Sequence, residues 1–169
     1  LDDWTNLRAF EGIALFGPTS LTFANNGRPR QVNGASISQS FFAILRAKPA
    51  LGRAFTPEEY RPGGPRAVVL SDRLWRDQFG ADPQILERSV LLDGEAFRVV
   101  GVMAPGPAYP RDAAFWTTTG LDAEYDARSA RHLSALGRLA LGASLAAATQ
   151  ELETVERRLA GRFPNQYAG

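Results

Sequence analysis

One histidine, no cysteine and eighteen acidic residues are the main stock this chain has for nucleophilic, metal or acid–base chemistry. His132 begins a predicted strand, and no G-x-S-x-G elbow supplies the nucleophile a triad would need. Glu58 and Glu59 follow Thr56-Pro57, the pattern of a capped first helical turn, where acids complement the helix dipole. Asp72 and Asp77 are five residues apart, so a helix puts them on different faces rather than in one acid pair. Gly52-Arg53 and Gly63-Gly64 lack both the Lys-Ser/Thr of a P-loop and the G-x-G-x-x-G spacing of a dinucleotide site. The absence of cysteine removes disulfides, zinc–thiolate sites and thiol nucleophiles together. These residues predict no enzyme, no metal site and no cofactor. Arg53 beside Gly52 is expected to make a structural hydrogen bond or ion pair.

Composition narrows the class further. A chain of 169 residues, 44% hydrophobic and 22% charged, can bury a core without metal or disulfide staples. A net charge of +1 gives no electrostatic footprint for nucleic acid. Eighteen of the nineteen basic residues are arginine, with Lys48 alone, which reflects either a coding bias or an arginine surface for anions. No apolar run approaches the roughly 18 residues of a membrane span. No basic leader precedes Leu1, so no signal peptide is expected.

The elements that must position these residues can be read from the spacing. Residues 2–10 suit a short helix with Trp4, Leu7 and Phe10 on one side. Gly12–Phe23 suits two strand segments bent at Gly17-Pro18, with a turn at Asn25-Asn26-Gly27 and a return strand over Arg30–Ile37. Ser38 is placed to cap a helix that buries Phe41, Phe42 and Leu45. Residues 61–65 and 104–110, rich in Pro and Gly, are loops. Between them Ser71 ends the apolar run AVVL and caps a helix carrying Leu74, Trp75 and Phe79, which Gly80 stops. Asp82-Pro83 opens a second short turn, and Asp93-Gly94 joins two strands in a hairpin. AFWTTT is a strand whose Trp116 serves either the core or an interface, whereas Trp75 belongs to the core. His132–Leu141 is a half-buried strand with Leu133, Ala135, Leu139 and Leu141 inward. Ser144 then caps a last helix with the stripe Leu145, Ala148, Leu152, Val155 and Leu159, and Glu153 is spaced to pair with Arg157.

Four segments in order, SQSFFAILRAKPALGRAFTPEE, LSDRLWRDQFGADPQIL, LLDGEAFRVVGVMAP and RHLSALGRLALGASLAAATQELETVERRLAGRFP, resemble the extracytoplasmic domain of MacB/FtsX-like ABC transporter permeases. The resemblance runs from about Leu7 to Pro164 and includes Gly52, Arg53, Ser71, Trp75, Asp93, Gly94 and Gly101 as structural motif positions. One departure is Glu87, where the family usually carries glycine before the first hairpin strand. The resemblance implies an α/β (α+β) fold in two lobes. Residues 1–52 and 112–169 would form a porter-like lobe from both chain ends, and residues 53–111 a middle, Sabre-like lobe. It further implies a non-catalytic module on the periplasmic side of the bacterial inner membrane, flanked by membrane spans. Such a module would couple ATP hydrolysis by an ATPase subunit or domain to movement outside the membrane. Its other implied partners are an extracytoplasmic adaptor protein or substrate and a second copy in a homodimer. The alternative is a ligand-binding module that captures a peptide or lipid-linked substrate directly. A pre-formed apolar pocket would favour that alternative, and a flat exposed patch would favour docking and coupling.

Overall fold

The computed structural model of the chain describes residues 7–24, 29–119 and 133–162. Among the described residues, eight strands form one sheet: β1 (Phe10–Ala24), β2 (Arg30–Ile37), β3 (Pro49–Gly52), β4 (Ala67–Leu70), β5 (Ser89–Leu92), β6 (Glu95–Met103), β7 (Phe115–Thr118) and β8 (Ser134–Leu139). Three α-helices accompany them among the described residues: α1 (Phe41–Leu45), α2 (Asp72–Phe79) and α3 (Leu145–Arg162). The strand order is β2-β7-β4-β6-β5-β1-β8, with β3 on β6, and β1 also pairs with β2. The pairing therefore closes on itself around β1, β2, β7, β4, β6 and β5.

Side-chain alternation along this ring separates two cores. Phe23, Val32, Phe115, Val68, Val99 and Val90 give one buried residue from each ring strand to a single cluster, joined by Leu74 of α2 and by Ile85. The opposite face supplies Phe16, Ala35, Ile37, Val69, Val100 and Trp116, which α1 covers with Phe41, Phe42 and Ile44. Burying β4 on both faces is what the unbroken apolar run AVVL requires, and all four of its residues are buried.

The local signals around residues 71–94 hold. The Ser71 hydroxyl accepts the Leu74 amide at 3.1 Å, and Gly80 ends α2 with φ of +60°. Asp82 accepts the Gln84 amide at 2.9 Å and opens a 3₁₀ turn, Pro83–Glu87. Glu87, the departure from the family pattern, is the last residue of that turn. Asp93 and Gly94 both have positive φ, +49° and +79°, as the tight turn between β5 and β6 demands.

Other expectations are corrected. Gly17-Pro18 does not break β1, which runs for 15 residues. Thr22 turns its backbone toward Asp93, away from β2, and Pro18 lies in the same row. Its missing amide thus falls on a side where, among the described residues, β8 has ended at Phe16 and β5 has not begun. Ser38 is not a helix cap: its hydroxyl accepts the Leu15 amide at 2.9 Å, tying it to β1. Ser40 precedes α1 instead and donates to the Ile13 carbonyl at 2.7 Å. Ile44, rather than Leu45, is the third buried residue of α1.

The inward row of β8 is the opposite of the expected one. Leu136 pairs with buried Ala14 and packs on the core, while Ala135 and Leu139 are exposed and Leu141 is fully so. In α3 the Ser144 hydroxyl accepts the Ala147 amide at 3.1 Å, and Ala148 and Val155 are buried, but Leu145 is 74% exposed. Arg157 reaches the Thr154 hydroxyl at 3.4 Å rather than Glu153. The expected N-terminal helix, apart from residues 7–10, the turn Asn25-Asn26-Gly27 and His132 lie outside the described residues. Phe10 itself begins β1.

Candidate functional site

Gly52 and Gly101 face each other where β3 meets β6. A Cβ on Gly101 would lie 2.4 Å from the Arg53 carbonyl oxygen, and one on Gly52 would lie 2.3 Å from that of Val100. Gly52 also has φ of +73°, a conformation that side-chain-bearing residues rarely adopt. These two glycines let the chain cross β6 closely, with the Arg53 amide donating to the Val100 carbonyl at 2.9 Å.

That crossing delivers the Arg53 guanidinium to Glu59 in two parallel bonds of 2.9 and 2.7 Å. Glu59 is 7% exposed, and its carboxylate also accepts the Thr56 amide at 2.7 Å. Burial pushes the Glu59 carboxyl up, but the bonds from Arg53 and Thr56 outweigh it and hold the group below its ordinary value. Arg53 is raised in turn, mainly by its hydrogen bond to Glu59. Burial, and then the Glu59 charge, raise the neighbouring Tyr60 hydroxyl. The Glu59 carbonyl accepts the Thr118 hydroxyl at 2.8 Å, so this ion pair fastens residues 53–59 to β7. It is a brace.

The two ends of the described chain meet at another carboxylate. Glu151 of α3 accepts the amides of Arg8 and Ala9 at 3.2 and 2.8 Å, and the Ala140 amide donates to the Ala9 carbonyl at 2.9 Å. β8 runs antiparallel to the first half of β1 beside this point. Sequence reasoning passed over Glu151, although it lies on the same helix face as buried Ala148 and Val155, and an acid inside an apolar stripe is the signal that could have found it.

A third feature is a half-open cleft of about 910 Å³. Phe42, Leu45, Met103 and Trp116 contribute one apolar wall, and Val32 and Leu74 contribute from the other core. Arg30, Arg46, Lys48 and Arg73 reach it, as do Asp72, Asp77 and Asp112. Arg76 holds Asp72 at 2.9 Å, Arg73 lies 3.7 Å from Asp77, and Arg46 lies 3.3 Å from Glu11. Trp116 is 3% exposed, and its indole N–H donates to the Tyr109 carbonyl at 2.9 Å. It meets solvent as part of the cleft wall and not as a free face. Trp75 is half-buried against the Leu74 cluster and donates to the Asp82 carbonyl at 2.9 Å. Asp72 and Asp77 belong to separate ion pairs. Among the described residues, no three metal-ligating side chains come together.

The chain matches the family of MacB-like periplasmic core domains over residues 1–155. It belongs to that family. No curated protein matches this MacB-like domain. Among solved structures, it resembles the periplasmic region of MacB from Actinobacillus actinomycetemcomitans, with TM-score 0.72 at 17% identity. That likeness covers 95% of this chain and 73% of the other. It also resembles the extracellular domain of the ABC-type transporter YknZ from Gram-positive bacteria, with TM-score 0.57 at 17% identity. There it covers 69% of this chain and spans 59% of that domain. At these identities the likeness is one of fold, and the α/β architecture expected of the family is the one observed. Among the described residues of this MacB-like domain, no helix is long and apolar enough to cross a membrane.

Proposed function

We propose that this MacB-like domain is the extracytoplasmic, non-catalytic module of an ABC transporter permease. In this reading it relays ATP hydrolysis, performed by an ATPase subunit or domain, into rearrangement outside the membrane. The observation that carries the proposal is the junction of Arg8 and Ala9 with Glu151. A domain inserted between two membrane spans leaves and re-enters the same bilayer face, so displacement of either span arrives at this junction first. Residues 1–52 and 112–169 would be the membrane-proximal part and residues 53–111 the distal part. The hydrogen-bonded ladder runs through both, since β4 lies between β6 and β7 and β3 pairs with β6. A push at the ends is therefore delivered to the distal part through backbone hydrogen bonds instead of a flexible linker. An adaptor protein or substrate would be met at that distal part, with a second permease copy beside it.

The test is amide hydrogen exchange in the full-length permease, reconstituted with its ATPase, in nucleotide-free and ATP-trapped states. The peptide covering residues 7–16 is expected to exchange differently in the two states, and Glu151→Ala to abolish the difference while leaving ATPase assembly intact. Identical exchange in both states would overturn the coupling reading.

A further inference from the structure

The cleft lies where the sheet is incomplete. β2 begins at Arg30, but its first pair with β7 is Ala35 with Trp116. The Ala114 amide donates to the Asn33 carbonyl at 2.8 Å, so odd-numbered residues of β2 turn their backbone groups toward the β7 side. Gln31 is next in that row. Its partner across β1 is Thr22, whose own amide and carbonyl are engaged by Asp93 at 2.6 and 2.9 Å. The Gln31–Thr22 pair thus exchanges no backbone bonds, and the Gln31 N–H and C=O point into the cleft. On the far side β4 ends at Leu70, opposite Phe115, and passes into α2. Among the described residues, no strand continues β7 between the start of β2 and α2.

We infer that this cleft accepts an extended peptide segment, which pairs with β2 at Gln31 and continues the sheet in line with β7. The lining fits a strand: side chains on one row of an added peptide meet Phe42, Met103 and Trp116, and those on the other meet Val32 and Leu74. With Asp72, Asp77, Arg73 and Arg46 held in ion pairs, Arg30, Lys48 and Asp112 remain without one among the described residues. Two cations against one carboxylate favour an apolar segment that carries acidic residues. The inference stands apart from the coupling reading, since it needs neither nucleotide nor membrane.

The probe is a labelled eight-residue peptide alternating valine and glutamate, titrated into this chain and followed by fluorescence anisotropy. Saturable binding is expected. Methylating the peptide's backbone nitrogens is expected to weaken it by at least about tenfold, because the edge bonds are lost while the side chains remain. Replacing its glutamates by lysines should weaken it to a similar degree. Gln31→Pro removes the edge donor without touching the β1 ladder, and Ala104→Trp fills the cleft from an exposed loop. Each should reduce binding with the melting temperature unchanged. The inference is overturned by equal affinity for the methylated peptide, by wild-type binding in both variants, or by no binding at all. It is also overturned if anionic micelles fill the cleft and the peptide does not, which would assign the site to an amphiphile.

Discussion

Replacing Glu59 by glutamine tests whether the Arg53–Glu59 brace stabilises the fold. The substitution keeps the shape and one acceptor oxygen, so the Thr56 amide stays satisfied, but it replaces two bonds between opposite charges by at most one from the guanidinium to an uncharged, weaker acceptor. Bonds to charged groups contribute about 1.5–3 kcal/mol each, so losing one of the two, with the other kept at the low end of that range, sets the scale of the effect. Arg53 is 47% exposed and recovers hydration when released, which discounts the loss. The expected destabilisation at pH 7 is about 1.5–2 kcal/mol, roughly 3–8 °C in Tm for a domain of this size. Glu59→Ala, which strips Arg53 and the Thr56 amide of their partner, should cost about 3 kcal/mol. The assay is urea unfolding followed by tryptophan fluorescence, across a range of pH.

The sign of the pH dependence follows from the lowered Glu59 carboxyl. A depressed folded-state value means that the contribution is complete above the unfolded value, about 4.3, and fades as pH falls through the folded one. Wild type and Glu59→Gln should therefore differ most at neutral pH and converge in acid, where the wild-type carboxyl is also protonated. Equal urea midpoints at pH 7, or a difference that persists unchanged at pH 3, would refute the reasoning.

Substitutions at three further positions can be checked by the same unfolding assay. Trp75→Ala should cost about 2–3 kcal/mol, below the usual value for a fully buried aromatic because the indole is half-buried, with the Arg76 guanidinium over its ring; Trp75→Phe should lose about 1 kcal/mol with the bond to Asp82. Gly101→Ala should cost about 2 kcal/mol or more, since the new methyl meets the fixed Arg53 carbonyl and β3 must shift; a neutral result would show that β3 moves freely. Ser71→Ala should remove about 1 kcal/mol by leaving the Leu74 amide without its cap.

Sequence was informative where a residue's task is set by its nearest neighbours. Ser71, Gly80, Asp82 and Asp93-Gly94 each satisfy an amide or a backbone conformation within a few positions, and each does what its type and place require. Pro18 was misread because a proline is harmless on one row of a strand and harmful on the other. The row depends on where β5 and β8 happen to lie. Ser38 looked like a cap, but its hydroxyl serves Leu15, 23 residues away. The inward row of β8 could not be chosen from spacing alone, since Leu133, Leu136 and Leu139 include both parities and Ala14 decides between them. The cleft was invisible for the same reason: it arises from the mismatch between where β2 begins and where β7 begins, and no single segment encodes a mismatch.

The ring of six strands has a weakest join. β5 meets β1 through two residue pairs, Phe23 with Leu92 and Ala24 with Leu91, whereas β1 and β2 share eight. The Asp93 carboxylate and amide clamp Thr22 just beyond that seam and reinforce it. A transient opening there would break the closed ring and add two raw margins, along β5 and the second half of β1, to the edges that β3 and β8 already present, the form in which chains stick to one another. The tight turn at Asp93-Gly94 is thus a latch as well as a bend, holding the ring closed at its thinnest point.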